Sequence, residues 1–306
     1  MLKDALFGGV NAAVLSGYHA DLSLDLDRMA AHSRWLLANG CNGLGILGTT
    51  GEANSLGISE RIAVMEGLIE RGIPAGTLLP GCGTTAFPDT VLLTRRAAGL
   101  GIRGVLLLPP FFYKGPSDDG LFAYYSEVAQ RVGGDIKLYF YHFPAQSAVP
   151  IGLGLIERLL RAYPGTFKGI KDSTGDWANT KSYADAFASE GFEVYCGDDS
   201  LMHANLANNG AGCITAAANV GCAASQAVYR NWDNAKGEAA QVTLTAIRRA
   251  VTSVPLIPAL KSLVARNTGN ADWKIIRPPH LPLSAEQEGK LFAAFVASGF
   301  ALAKAA

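Results

Sequence analysis

The stretch GLGILGTTGE, residues 43–52, decides how the chain folds. It contains a literal G-x-G-x-x-G at Gly43, Gly45 and Gly48, the spelling of a dinucleotide-binding turn. That fingerprint works only where the first glycine ends a strand and the last opens a helix, so that a pyrophosphate meets free amides and the helix dipole. Here Gly43 and Gly45 lie inside the apolar run CNGLGILG (41–48), and Gly48 is followed by Thr49, Thr50, Gly51 and Glu52, with the next helical pattern starting near Ser59. The context is wrong for an NAD site. A barrel gives a better account. Small residues on a strand leave room in the interior, and the two threonines then fall at the strand's C-terminal end, where barrel enzymes build their sites from loops.

Outward from this stretch, continuous apolar runs alternate with longer amphipathic segments. The runs cover 9–16, 41–48, 75–83, 104–110, 136–144, 167–173, 193–199 and 211–219. Helical patterns fill the gaps, and several close on glycine, as in DLDRMAAHSRWLLANG and SERIAVMEGLIERG. Strands that are apolar throughout belong to a parallel sheet covered on both faces. Eight such units fit an α/β fold of the (β/α)8 TIM-barrel type better than an open doubly wound sheet of five or six strands. The expected organisation is a catalytic barrel over residues 1–227, with residues 228–306 as a C-terminal helical extension of the same domain. The last helix is expected over AEQEGKLFAAFVASGFALAKA, 285–305.

Composition narrows the partner. Lys and Arg together number 26, matching 26 Asp and Glu, so there is no basic stripe for a nucleic acid and no polybasic segment for an anionic membrane. The longest apolar run, GVLLLPPFFY, is broken by Pro109 and Pro110 and falls short of the roughly 20 residues that span a bilayer. The N-terminal apolar segment is too short for a secretory signal, which leads to the expectation of a cytoplasmic protein with a small-molecule ligand. Five cysteines, without a C-x-x-C pair, read as reduced core thiols.

In a barrel, chemistry sits at strand ends. The polar residues collected there are Thr49, Thr50 and Glu52, then Phe112, Tyr113 and Lys114, then Tyr141, His142 and Gln146. Later strands add Lys171 and Asp172, Asp198 and Asp199, and Thr215 and Asn219. The segment FKGIKDST (167–174) is the most informative. Side chains alternate along a strand, so Lys168 and Lys171 point to opposite faces, and Lys171 shares its face with Gly169, which leaves space. Desolvation among apolar residues disfavours the charged form of an amine, and a neutral amine can attack a carbonyl to form a Schiff base, an electron sink that needs neither metal nor coenzyme. The alternative is a lysine paired with Asp172 or Asp198. Tyr141, one strand earlier at the same height, would move protons, unless YFYHF is an aromatic core layer whose hydroxyls reach the rim by accident. The histidines show no metal-ligand spacing such as H-E-x-x-H, and no G-x-S-x-G is present, so neither a metal site nor a serine hydrolase is expected.

Taken together these residues resemble the dihydrodipicolinate synthase and N-acetylneuraminate lyase superfamily of class I Schiff-base aldolases. The resemblance runs over nearly the whole chain: G-T-T-G-E at 48–52, PPFFY at the fourth strand end, Y-x-x-P at 141–144, G-I-K-D-S-T-G at 169–175, G-D-D at 197–199 and G-C-I-T-A-A-A-N at 212–219. It implies a barrel with a helical extension and a covalent Schiff base to Lys171 without a cofactor. It further implies Tyr141 as the acid/base phenol, and Thr49 and Thr50 as the pair that holds a 2-oxo acid carboxylate and relays protons. Gly197 and Ile214 match positions around the pyruvoyl group, and Glu52 would hold the threonine loop. In the family a tyrosine from a neighbouring subunit often completes the relay. Phe112 aligns with it, which leaves Tyr113 as the candidate inter-subunit relay in a homo-oligomer, a tetramer or dimer.

Departures bear on substrate. The synthases read Y-N-x-P-x-R-T after the fifth strand, where arginine grips a carboxylate; here the text is YHFPAQS, with His142 for the asparagine and Gln146 for the arginine. A neutral amide cannot give the bidentate charged grip but can hydrogen-bond hydroxyls. Both residues are therefore substrate-binding candidates, and the expectation shifts to an aldolase or dehydratase acting on pyruvate or a hydroxylated 2-oxo acid of the 2-keto-3-deoxy sugar acid type. The alternatives are dihydrodipicolinate synthase activity with aspartate semialdehyde and, given the changes at Phe112 and His142, a non-catalytic 2-oxo acid sensor. The family's T-P-[FL] on strand one is also altered, to Ser16-Gly17-Tyr18.

Overall fold

Alternating apolar runs and amphipathic segments become a ring of parallel strands inside a shell of helices. The computed structural model describes residues 1–134 and 136–302. In chain order the barrel elements are β1 (Gly9–Ala13), α1 (Leu26–Ala38), β2 (Gly43–Gly45), α2 (Ile58–Glu70), α3 (Phe87–Gly99), β3 (Gly104–Leu107), α4 (Asp118–Val132) and β4 (Lys137–His142). They continue with the short α5 (Pro144–Ser147), α6 (Leu153–Ala162), β5 (Phe167–Asp172), α7 (Trp177–Phe187), β6 (Glu193–Cys196), α8 (Met202–Ala207) and β7 (Gly212–Thr215). Then come α9 (Ala218–Arg230), α10 (Ala235–Val251), α11 (Leu256–Thr268) and α12 (Ala285–Ala297). Helix starts follow side-chain capping: Asp25, Ser117 and Asp176 each accept a backbone N–H of the first turn, and Ser284 with Gln287 forms a capping box on α12. That last helix stops at Ala297; residues 303–305 of its expected span lie outside the described residues.

The strands pair in the order β2-β1-β7-β6-β5-β4-β3, all parallel. The run expected as a strand over 75–83 is instead a turn of 3-10 helix at Ala75–Thr77 followed by an extended segment. This segment still closes the ring, through bridges Leu44↔Leu78 on one side and Gly81↔Leu106 on the other. Leu79 N donates to Leu44 O at 2.9 Å and Cys82 N to Leu106 O at 2.9 Å. Gly81 N donates to Ile46 O at 2.8 Å and Leu106 N to Pro80 O at 2.9 Å, while Pro80 lacks the N–H that a regular ladder requires and a Cβ at Gly81 would sit 2.2 Å from the Leu47 carbonyl. With it the ring is a (β/α)8 barrel.

Two apolar clusters follow from strand alternation. Tyr139, Tyr141, Tyr195 and Ile214 point inward, while Phe140, Val194 and Cys213 point outward and pack under the helices. Phe7 closes the base, where the fully buried Glu193 carboxylate accepts from the Tyr139 and Tyr195 hydroxyls and the Leu6 amide. The opening stretch fits this layout. A Cβ at Gly43 would fall 2.2 Å from Asn11 Oδ1, and one at Gly45 would meet Ile214 at 3.2 Å. These glycines admit neighbouring side chains to a crowded barrel. No helix among the described residues is long and apolar enough to cross a membrane.

Candidate active site

The site is built first on the pairing of β4 with β5. Tyr141 and Lys171 are register partners, as are His142 and Asp172, so alternation sends the first pair into the barrel and the second behind it. Lys171 is buried, with Nζ 4.3 Å from the centroid of the Tyr141 ring. The Tyr141 hydroxyl lies 3.2 Å from Thr49 Oγ1. No ion pair among the described residues involves Lys171. Asp172 faces away and Asp198 is drawn to Arg248, so the pairing with either carboxylate that the sequence left open is not formed.

The Thr49–Thr50 turn is held by a scaffold from three elements. Leu47 and Glu52, on either side of it, both adopt left-handed backbone (φ 56° and 54°), a conformation that non-glycine residues keep only when surroundings enforce it. Ser16 Oγ donates to the Gly51 carbonyl at 2.7 Å. Glu52 is buried and forms an ion pair at 2.6 Å with Lys261 of α11, itself 1% exposed. Lys261 also donates to the Ile275 carbonyl and lies 4.5 Å from the Tyr18 ring. Burial pushes the Lys261 ammonium below its ordinary value, with Glu52 opposing. The altered Ser16-Gly17-Tyr18 thus has a physical role: its hydroxyl ties down the turn and its ring covers the buried cation. None of the hydrogen bonds among the described residues uses the Thr49 or Thr50 amide, leaving both N–H groups open to an acceptor.

These groups share a cavity of about 600 Å³ at the C-terminal end of the strands, within the usual range for small-molecule sites. Thr49, Thr50, Tyr141, Lys171, Gly197 and Gln146 all line it. A Cβ at Gly197 would be 2.1 Å from Ser173 Oγ, so glycine is what lets the β5 loop sit there. A larger cavity of about 900 Å³ lies outside the barrel between α1 and α11 and contains none of the strand-end candidates apart from Asn219, which is buried and hydrogen-bonds the Ala13 carbonyl. We place the chemistry in the smaller one, because the amine, phenol and open amides converge there.

Two expectations, on His142 and Ile214, are corrected. His142 does not line the cavity; it faces outward, with Nδ1 3.0 Å from Asp172 Oδ1 and 3.2 Å from the Tyr183 hydroxyl. Burial alone would raise the Asp172 carboxyl, but hydrogen bonds from His142, Thr180 and Thr174 outweigh it and hold the group below its ordinary value. The Ile214 side chain belongs to the apolar layer beneath the cavity rather than to its wall. Tyr113 and its neighbour Phe112 are exposed, 75% and 71%, and do not enter the cavity of their own chain. Sequence reasoning missed Lys261 and also Arg248 of α10, a cation in the cavity wall. A lysine inside the apolar run PLIPALKSLVA was a legible signal for the first; nothing distinguished Arg248 from a solvated helix charge.

A family model, the Dihydrodipicolinate synthetase family, matches residues 6–297. The chain belongs to this family. Members of the dihydrodipicolinate synthetase family are class I lyases that work through a lysine Schiff base, and the protein is an enzyme of that class. It is 33% identical over 290 residues to an uncharacterized DapA-like lyase of Chloroflexus aurantiacus, covering 94% of this chain and 95% of the relative. It is 34% identical over 260 residues to a 4-hydroxy-tetrahydrodipicolinate synthase of Listeria monocytogenes, covering 84% and 86%. Among solved structures, dihydrodipicolinate synthase from Agrobacterium tumefaciens superposes with a TM-score of 0.85 at 31% identity, covering 94% of this chain and 98% of that one. YagE from E. coli K12, a family member solved in complex with pyruvate, superposes with a TM-score of 0.89 at 27% identity, covering 97% and 100%.

Proposed function

We propose that the protein is a metal-independent lyase that makes or breaks a bond of a hydroxylated 2-oxo acid, of the 2-keto-3-deoxy sugar acid type, through an imine on Lys171. The observation that carries this reading is a buried amine with no carboxylate partner among the described residues, 4.3 Å from the ring of a tyrosine whose hydroxyl meets Thr49 at 3.2 Å. In the condensing direction the Lys171 amine adds to the C2 carbonyl of pyruvate, and the carbinolamine loses water to give a protonated imine. Loss of a methyl proton gives an enamine, whose carbon bonds to the aldehyde carbon while the aldehyde oxygen gains a proton. Water then hydrolyses the imine, releasing product and restoring the amine. Cleavage is the reverse; in a dehydratase, loss of a C3 proton from the imine of the 2-keto-3-deoxy acid gives the enamine, which expels the C4 hydroxyl as water, and hydrolysis of the resulting unsaturated imine frees the amine. Tyr141 moves the protons, Thr49 and Thr50 relay them, and the two open amides of the turn take the 2-oxo acid carboxylate.

Gln146 at the mouth favours a hydroxylated partner, since it offers an amide where a carboxylate would call for a cation. The pyruvate complex of YagE supports a 2-oxo acid as the ligand class. Exposed Phe112 and Tyr113, stacked edge to face at 5.3 Å, suit a loop that packs on a second copy, and we read the enzyme as a homo-oligomer, a tetramer or dimer. Five buried, unpaired cysteines suit the reducing cytoplasm. The test is reduction with borohydride in the presence of pyruvate, in buffer with a chelator: the pyruvyl mass is expected on Lys171, and its absence, or an adduct on another lysine, overturns the reading. The 4-hydroxy-tetrahydrodipicolinate synthases among the relatives favour a second reading, condensation with aspartate semialdehyde. A coupled synthase assay separates the two, with slow turnover expected.

A further inference from the structure

The reading above leaves open what meets the far end of the substrate. Arg248, in the last turn of α10, lines the same cavity as Lys171. Its side chain is 20% exposed and stands between two carboxylates, with Nη2 3.4 Å from Asp198 Oδ2 and Nη1 3.7 Å from Asp199 Oδ2. Charge-assisted hydrogen bonds run about 2.7–2.9 Å. Both contacts are longer, and among the described residues the guanidinium donates no hydrogen bond, so a planar fork of five N–H donors is held at the wall unused.

The acceptor side is equally fixed. Asp198 also lines the cavity, and its Oδ1 is pinned by the Ser200 amide at 2.9 Å and hydroxyl at 2.6 Å, leaving Oδ2 toward Arg248. Asp199 lies behind, fully buried, accepting from Thr215 Oγ1 at 2.5 Å, with Oδ1 unpartnered. Burial pushes its carboxyl up to about 6, still low enough to be mostly ionised at pH 7.5. One cation then stands between two anions. The C-terminal end of α10 adds its partial negative charge.

We propose that Arg248 and Asp198 together read hydroxyl groups at the far end of the substrate, donor beside acceptor, and that the surplus negative charge around Arg248 turns away a second carboxylate. The proposal rests on the Lys171 reading and adds specificity to it. A vicinal diol presents both donors and acceptors, matching a guanidinium fork beside a carboxylate. A second carboxylate would bring acceptors only, and would meet Asp198 and Asp199 as like charges. Arg248 therefore does not replace the arginine missing at Gln146: it is a cation already surrounded.

The test compares kcat/KM for condensation of pyruvate with D-glyceraldehyde, neutral and hydroxylated, and with succinic semialdehyde, anionic and without hydroxyls. Wild type, R248M, R248K and D198N are assayed, with borohydride trapping of pyruvate on Lys171 measured on each preparation. Wild type is expected to favour glyceraldehyde, and R248M to lose on the order of 10-fold or more in kcat/KM for it, mainly through KM. R248K, which keeps the charge without the fork, is expected to fall between, and D198N to narrow the ratio by admitting the anion. A wild type that prefers succinic semialdehyde overturns the subsite, as do arginine variants that trap pyruvate normally but lower both aldehydes equally. Failure of trapping in wild type removes the Lys171 reading itself, and the subsite with it.

Discussion

Replacing Lys261 with Met tests how the threonine turn is held. The substitution keeps an unbranched stem in α11 but removes the charge 2.6 Å from Glu52 Oε1, leaving that buried carboxylate with the Arg277 amide at 3.3 Å. Breaking a buried ion pair by removing one partner costs about 3–5 kcal/mol, because the remaining charge is stranded. With unfolding entropy of about 2.1 cal/mol/K per residue, a chain of 306 residues loses about 5–8 °C of Tm. Desolvation already outweighs the attraction of Glu52 at Lys261, so the pair itself adds little and the stranded carboxylate carries the cost. The double variant E52Q/K261M is therefore expected to melt closer to wild type than K261M alone. Calorimetry on the four proteins of the cycle gives the coupling, and pyruvate trapping gives the consequence at the turn, expected to slow by about 10-fold in K261M as the Thr49 and Thr50 amides lose their placement. A K261M Tm within about 1 °C of wild type, or a double variant as low as the two single losses added, would refute the reasoning.

Three further outcomes are expected. Y141F keeps the ring beside Lys171 but removes the proton carrier, and should lower kcat by about 10²–10⁴ while trapping of pyruvate still occurs; unchanged kcat would take Tyr141 out of the mechanism. H142F deprives buried Asp172 of a donor and should cost about 1–3 kcal/mol in urea unfolding, most of it restored in H142N. A variant that keeps its stability but loses pyruvate affinity would return His142 to the cavity. Asp199 carries a raised carboxyl in the folded state, so its contribution to stability is full below the unfolded value of 3.8 and is lost as pH rises through about 6. That loss is about 3 kcal/mol by the shift, and D199N should flatten the corresponding slope of the urea midpoint between pH 4 and 7; an unchanged slope would assign it to another group.

The barrel was legible because parallel strands covered on both faces read as continuous apolar runs, and the segment at 75–83 closes the ring even where Pro80 keeps it from being a regular strand. Lys171, Tyr141 and the Thr49–Thr50 turn were legible as candidates for a related reason: polar residues at the ends of buried strands stand out, though a lysine ion pair or an aromatic core layer would read the same. What was hidden came from the extension. Arg248 and Lys261 lie 77 and 90 residues beyond Lys171 in the sequence, the first looking like any solvated helix charge and the second set in an apolar run, and only packing of α10 and α11 over the strand ends brings them to the cavity and the turn. His142 was misassigned although the alternation that separates Lys168 from Lys171 applies equally to Tyr141 and His142. Its place at the asparagine of the synthase motif suggested substrate, and the period of the strand decided otherwise.

That same period divides the labour at the centre of the site. On β4 and β5 the inward pair, Tyr141 and Lys171, holds the phenol and the amine, and the outward pair, His142 and Asp172, is one residue further along in the same register. The outward pair is locked by the 3.0 Å contact between Nδ1 and Oδ1, with Thr174 and Thr180 completing the carboxylate. A slip of one residue between these strands would displace the amine from the phenol by about 3.3 Å and turn one of them out of the barrel. The 4.3 Å spacing of amine and ring is thus maintained from behind, by the His142 and Asp172 side chains outside the cavity. A strand that presents a candidate catalytic residue on one face has its neighbour available on the other to fix the strand in place, and this chain has a histidine and an aspartate there.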